Sequence, residues 1–205
     1  MFIDWVAEWA AYGLSRLSLL ELLEYCSSFS LLIAITIYFV ETPQRTKVRH
    51  YQAWQVINSA QGKGGSGGRI EAMHELNEDH VSLLGVNVSD AFLQGIDLRD
   101  AILIRADLSS ADMRNAELSG AHLESANMRY TNLSNADLSG ADVGGAVLDD
   151  ADLHGADLSG LKNWRQIATL QRAEISGVRN APEGFVNWAL KHGAVDSGSN
   201  PTTRE

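Results

Sequence analysis

Residues 106–160 read ADLSS ADMRN AELSG AHLES ANMRY TNLSN ADLSG ADVGG AVLDD ADLHG ADLSG, which is one five-residue unit written eleven times. The same period extends back to Val81 with less regular residues. A period of five matches neither the 3.6 residues of an α-helical turn nor the two-residue alternation of a β-strand. The pattern therefore predicts a short supersecondary unit that stacks on copies of itself.

Each unit has a central apolar residue, which we call position i, and a small residue two positions earlier. Ala fills position i−2 in nearly every unit from Ala91 to Ala156, and Asp, Asn or Glu mostly stands between the two. We expect i and i−2 to fill a narrow tube while i−1, i+1 and i+2 face water. The frequent Ser and Gly at i+1 and i+2 predict a tight turn. The central residues are Leu83, Val88, Leu93, Leu98, Leu103, Leu108, Met113, Leu118, Leu123, Met128, Leu133, Leu138, Val143, Leu148, Leu153 and Leu158.

The unit A(D/N)LXX resembles the signature of the pentapeptide-repeat family. The resemblance implies a mainly β fold, a right-handed quadrilateral β-helix with four pentapeptides per coil, in which residues twenty positions apart stack directly. About sixteen units then make about four coils, and stacked strands about 4.8 Å apart give a rod about 20 Å long. The order of segments along this chain also resembles membrane-anchored bacterial, especially cyanobacterial, members of the family.

Stacking places four acidic residues in one vertical row on the outer surface, which we call the acidic ladder: Asp97, Glu117, Asp137 and Asp157. This row is a candidate surface for a basic partner protein or a cation. The alternative is that acidic residues suit position i−1 and are simply solvated. Because like charges about 5 Å apart repel, we expect the pKa values of these carboxyl groups to be raised.

A second outer surface is apolar near the N-terminal end of the rod. Leu84, Ile102 and Ile104 lie together there, and His122 and Glu124 follow one coil later. We expect this patch to lie under a neighbouring segment rather than to bind a partner.

Both ends of a stacked coil expose strand edges and apolar core, so the repeat needs caps. Apolar residues at helical spacing predict capping helices over residues 69–80 and 182–192. Residues 161–172 show the same spacing, and residues 173–177 read as one more pentapeptide displaced by an insertion. We therefore place the capped rod at residues 69–193 and a disordered tail at residues 194–205.

The N-terminal segment, residues 1–44, has a different composition. Residues 25–40 read YCSSFSLLIAITIYFV without a charge and predict a transmembrane helix, with a buried core helix of a soluble protein as the alternative. Arg45, Lys47 and Arg49 follow this run, so the positive-inside rule predicts a single-pass membrane protein with its rod on the cytoplasmic side. The aromatic residues of the first sixteen positions predict an amphipathic helix in the opposite interface.

Residues 45–68 connect that segment to the rod. Tyr51, Trp54 and Ile57 predict a basic juxtamembrane helix along the inner membrane surface, and residues 62–68 read GKGGSGG. The Gly-rich run formally satisfies GxGxxG, but a dinucleotide site needs a preceding strand and a βαβ unit. We interpret the run as a flexible linker.

The sequence offers little catalytic chemistry. Cys26 is the only cysteine, and the six histidines show no pairing at metal-ligand spacing. A rod that exposes its polar residues on a convex surface lacks the concave, desolvated pocket that catalysis requires. We predict that the protein is not an enzyme and has no cofactor and no metal site.

The charge favours a binding role. Residues 81–160 hold thirteen acidic residues and four arginines, a net charge of −9. We predict a membrane-tethered scaffold or interaction module with a protein partner. The alternatives are an accessory subunit of a membrane complex and a DNA mimic, because some pentapeptide-repeat proteins resemble DNA and bind type II topoisomerases. The same acidity disfavours direct nucleic-acid binding.

Overall fold

The computed structural model describes Trp5, Glu8 and residues 19–59 and 67–198. Contacts divide the chain into two units, Met1–Arg49 and His50–Glu205. The helices are α1, Leu19–Ser59, α2, Arg69–Glu78, and α3, Phe185–Lys191, with a short 3-10 turn at Trp164–Gln166. The predicted amphipathic helix at the N-terminus and most of the Gly-rich run lie outside the described residues.

The prediction of a transmembrane helix is wrong. No helix in the described part of the chain is both long and apolar enough to cross a bilayer. The charge-free run within α1 has sixteen residues, which gives about 24 Å of helix, whereas the hydrocarbon layer is about 30 Å thick. Within α1, Glu21 and Glu24 precede that run, and Glu41, Arg45, Lys47 and Arg49 follow it. The predicted single-pass arrangement with the rod on the cytoplasmic side depended on that helix and is therefore also wrong.

The repeat forms a coil of four pentapeptides. Parallel single-residue bridges join residues twenty apart, beginning at Asn87 with Asp107 and ending at Asp142 with Lys162. Each extended piece contributes one such bridge, so every pentapeptide stacks on its counterpart in the next coil. This arrangement is the quadrilateral β-helix expected from the repeat.

The core of the rod is the tube predicted from the sequence. Every central residue from Leu83 to Leu158 is at least 96% buried, and the Ala residues at i−2 are buried beside them. Thr131 replaces Ala at one i−2 position. Its hydroxyl is buried but donates a hydrogen bond to the Leu108 carbonyl at 2.8 Å, which satisfies the polar group.

A tight turn follows each central residue. All sixteen residues at i+2 between Gly85 and Gly160 have positive φ, and nine of them are not glycine. The N–H three residues after position i donates back to the carbonyl at i, as Ala121 does to Leu118 at 3.0 Å. A positive φ at the third residue with this bond is typical of a type II turn.

Residues 136–140 show how one unit satisfies its backbone N–H groups. The N–H groups of Asp137, Leu138 and Gly140 donate to carbonyls of adjacent coils at 2.7–2.9 Å, and that of Ala136 closes the preceding turn at 3.0 Å. The remaining N–H, on Ser139, donates to the Asp137 carboxylate at 2.8 Å. The residue at i−1 therefore accepts from the one backbone donor that the coil leaves unpaired.

Helical residues contribute to the apolar core at the N-terminal end of the rod. Met73 and Leu76 of α2 and Ile57 near the end of α1 are completely buried and belong to the same apolar core as the first coil. Part of the predicted juxtamembrane helix thus packs inside the protein. Nε2 of His50 and Oδ2 of Asp79 lie 2.7 Å apart and link α1 to the end of α2.

The C-terminal end contains a two-residue insertion. Bridges change from a spacing of twenty to twenty-two at Val147 with Thr169, after the 3-10 turn that replaces the helical pattern of residues 161–172. Residues 173–177 form the displaced pentapeptide that the sequence predicts. Beyond α3, Val195 pairs with Glu174, so residues 194–198 continue the coil and the tail boundary at 194 lies too early.

Candidate interaction surface

The acidic ladder forms a continuous vertical row. Parallel bridges link Asp97 to Glu117, Glu117 to Asp137, and Asp137 to Asp157. The column ends at Arg179, which pairs with Asp157 one coil later. The structure brings together the four residues predicted from the twenty-residue spacing, and their role as a binding surface stays a prediction.

An arginine lies at the N-terminal end of the ladder. Nη2 of Arg99 is 2.5 Å from Oδ2 of Asp97, and its Nε is 3.2 Å from Oε2 of Glu117. Asp97 is therefore mostly neutralised, whereas the Glu117 side chain is 54% exposed and makes the longer of the two contacts. The negative charge presented to solvent is concentrated on the three rungs beyond Arg99.

The expectation of raised pKa values is wrong for both ends of the ladder. The hydrogen bond from the Arg99 side chain lowers the pKa of Asp97. The backbone N–H of Ser159 lowers the pKa of Asp157, and this outweighs its partial burial; the Asn180 amide also donates to that carboxylate, at 2.8 Å. Hydrogen bonds to the charged form exceed the repulsion between stacked acids.

Small residues border the ladder on the side of the following turn. Positions i+1 and i+2 hold Ser119, Gly120, Ser139, Gly140, Ser159 and Gly160. A Cβ at Gly140 would lie 4.0 Å from the Gly120 nitrogen, which is an ordinary van der Waals contact. Beyond the first rung, where Arg99 and Asp100 lie, the result is a flat strip in which no large side chain occupies the turn beside the carboxylates.

The other faces compensate their acids more fully. Arg114 pairs with Asp112 at 2.6 Å, Arg129 with Asp149 at 3.2 Å, and Arg172 with Asp150 at 2.6 Å. On another face, amide groups of Asn87 and Asn127 donate to the Asp107 carboxylate from the coils on either side. The acidic ladder differs because four acids follow one another with no amide between them.

The apolar patch is not covered as expected in the described part of the chain. Leu84 and Ile102 are 56% and 38% exposed, while Ile104 is half-buried. Phe92, on a different face, is 57% exposed. Sequence reasoning missed Phe92, although its aromatic side chain at position i−1, which faces solvent, was a usable signal.

The predicted membrane-orienting residues do not join this surface. Arg45, Lys47 and Arg49 are exposed residues of α1 in the first unit. Their proposed role depended on the spanning helix and is corrected with it. Among the residues that the structure describes, no three His, Cys, Asp or Glu side chains come together to hold a metal ion.

Comparisons with known proteins agree with the repeat. The sequence model for pentapeptide repeats matches residues 82–120, 106–145 and 126–161, with eight copies. No protein with curated information matches significantly.

Solved structures give three informative relatives. The pentapeptide repeat protein alr5209 from Nostoc PCC 7120 is 32% identical over 65% of this chain and 98% of its own, with a TM-score of 0.35. Rfr23 from the cyanobacterium Cyanothece 51142 is 31% identical over 49% and 63%, with a TM-score of 0.31. QnrB1, a plasmid-mediated fluoroquinolone resistance protein, is 18% identical over 49% and 58%, with a TM-score of 0.32. This chain therefore spans less than two thirds of Rfr23 and of QnrB1.

Proposed function

Because the chain belongs to the pentapeptide-repeat family, we propose that its rod is a non-enzymatic module that binds a basic partner protein through the acidic ladder. The continuous row of carboxylates from Asp97 to Asp157 is the observation that carries the proposal. The backbone needs only a hydrogen-bond acceptor at these positions, and Asn serves that purpose on other faces. The ladder holds more charge than its structural role requires.

The shape of the strip favours a partner that lies along the rod. The Ser and Gly residues beside the ladder leave room for close approach, and successive rungs are stacked strands, about 4.8 Å apart. Basic side chains one helical turn apart, about 5.4 Å, match this spacing over three rungs. Such a contact gains its specificity and association rate from complementary charge.

The test places a photo-crosslinking residue at Ser119 in the full chain, expressed in its native cells. We expect a discrete crosslinked protein whose contact region is basic. The paired change Asp137→Asn and Asp157→Asn removes two charges and keeps the hydrogen-bond acceptors, so it should abolish the product without unfolding the rod.

The matched control is Glu71→Gln with Glu183→Gln, which removes the same charge from exposed positions before and after the repeat. The control should retain the product. A product that survives the ladder change, or is lost equally with the control, rejects the ladder as the binding surface.

A DNA mimic is the second candidate, favoured by the net charge of −9 on residues 81–160. Over about 20 Å, duplex DNA carries about twelve charges at one per 1.7 Å. The full chain should then inhibit supercoiling by a type II topoisomerase at low salt, in competition with DNA. Undiminished supercoiling at saturating protein excludes the topoisomerase as the target of such mimicry.

A further inference from the structure

The middle of α1 exposes a continuous apolar surface. Every side chain of residues 29–36, which read FSLLIAIT, is exposed to solvent. Contiguous exposed apolar surface of this kind marks an interaction site, and a helix segment that is apolar on all sides is normally buried. The large apolar side chains of the segment are 44–67% exposed: Phe29, Leu31, Leu32, Ile33 and Ile35.

One face of α1 has the spacing of a coiled coil. Because an α-helix has 3.6 residues per turn, positions separated by alternating steps of three and four residues stay on one side of it. A series of this kind that includes Leu31 and Ile35 extends from position 21 to position 49, a length of about four heptads. We call it the α1 seam, and its members are Glu21, Glu24, Ser28, Leu31, Ile35, Tyr38, Thr42, Arg45 and Arg49.

The two ends of the α1 seam carry opposite charges. Its first two positions are Glu21 and Glu24, and its last two are Arg45 and Arg49, both of which are exposed. A second copy aligned in the same direction would stack glutamate on glutamate and arginine on arginine. A second copy aligned in the opposite direction instead places each acidic end beside a basic end, with Ile35 at the centre. Each guanidinium has five N–H donors, so it can bind a carboxylate of the second copy in addition to a group of its own chain.

We propose that copies of this chain associate through their α1 seams, with the paired helices antiparallel. Leu31 and Ile35 supply apolar contact at the middle of the seam, and the charged ends set the direction of pairing, as polar and charged residues do in coiled coils. Phe29 and Ile33 lie outside the seam, where a second pair can dock to form a four-helix bundle. The association is separate from the acidic ladder, because residues 21–49 and the ladder belong to different units.

Sedimentation equilibrium of the full chain over a range of concentrations measures the mass and the dissociation constant. The wild type should have at least twice the mass of one chain. Glu21→Lys with Glu24→Lys gives both ends of the seam a positive charge, and Arg45→Glu with Arg49→Glu gives both a negative charge. Each change should raise the dissociation constant about tenfold or more. The four substitutions together restore opposite charges at the two ends, with the net charge of the wild type, and should restore the association.

The matched control is Lys47→Glu, which reverses a charge of α1 outside the seam and should leave the dissociation constant unchanged. Far-UV circular dichroism checks that each variant keeps its helix content, and if the reversed basic end loses helix, the reversed acidic end decides. A wild-type chain with the mass of one copy at all concentrations overturns the proposal, because another occupant then covers the apolar segment.

The direction of pairing has its own outcome. Association that neither reversed end weakens overturns the antiparallel arrangement, because parallel helices would have like charges together in the wild type and in both variants. Failure of the four substitutions together to restore association overturns it as well, because complementary ends would then be insufficient.

Discussion

Replacing Asp137 by Ala removes the acceptor for a backbone donor that has no other partner within its own unit. The Ser139 N–H donates to Asp137 at 2.8 Å, and the other four N–H groups of residues 136–140 are bonded to carbonyls. An unsatisfied buried donor costs about 1–3 kcal/mol, and loss of a side-chain cap on a backbone N–H costs about 0.5–2 kcal/mol. Because Ser139 is half-buried, we expect a loss of about 1 kcal/mol in the free energy of unfolding.

Glu117→Ala is the matched control for this change. It removes the same charge from the neighbouring rung, but the Glu117 carboxylate contacts Arg99 at 3.2 Å on an exposed surface, a type of pair that contributes about 0–1 kcal/mol. Urea unfolding of the full chain measures both variants. Asp137→Asn, which keeps the acceptor, should stay within about 0.5 kcal/mol of the wild type. Equal losses for Asp137→Ala and Asp137→Asn would refute the reasoning, since charge and not hydrogen bonding would then set the stability.

Three further predictions concern the core, the hydrogen bonds between Glu174 and Ser197 at the last coil, and the turns. Leu118→Ala should lower the free energy of unfolding by about 2–5 kcal/mol in urea titration, because the completely buried side chain has no neighbour free to fill the gap. Burial by itself raises the pKa of Glu174, but the hydrogen bonds that its carboxylate accepts from Ser197 and Ser176 have the larger combined effect. The pKa is lowered to about 2. The stability that Glu174 provides is therefore complete above its unfolded pKa of about 4.3 and is lost as the pH falls toward 2. The free energy of unfolding should thus decrease less steeply with falling pH in Glu174→Gln than in the wild type. Arg105→Gly should raise the thermal midpoint, since φ is +58° there, whereas Gly140→Ala, at +65°, should lower it; each shift is a few degrees, corresponding to about 1 kcal/mol.

The sequence period was sufficient to predict the rod because it specifies side-chain size position by position. A leucine such as Leu118 and an alanine two positions before it, such as Ala116, recur every five residues, and both are buried. The displaced pentapeptide at residues 173–177 was likewise recognisable, because its Ala and Ile keep the i−2 and i spacing after the insertion. Residues 161–172 misled the prediction, since apolar residues three apart also fit a 3-10 turn followed by an extended piece.

The N-terminal prediction failed because it used local hydropathy in a run too short to decide the matter. Residues 25–40 are apolar, but α1 continues without a break to Ser59, where Ile57 is buried in the protein core. Apolar residues at helical spacing do not distinguish a helix that lies on a membrane from one that packs on a neighbouring helix. That distinction depends on the partner surface, which is built by residues 69–78 and the first coil.

The sign of the pKa shifts of Asp97 and Asp157 was also predicted wrongly, because hydrogen bonds to these carboxylates were not foreseen. Asn87, Asn127 and Asn132 occupy the same i−1 position as the acids and accept the same backbone N–H. Their presence shows that an uncharged side-chain oxygen at i−1 also accepts this N–H, so the hydrogen bond does not require a charge. A ladder of four consecutive carboxylates is then not explained by backbone hydrogen bonding. Asparagine at Asp137 and Asp157 is the change that isolates this excess charge, because it preserves what the coil requires and removes only what a basic partner would recognise.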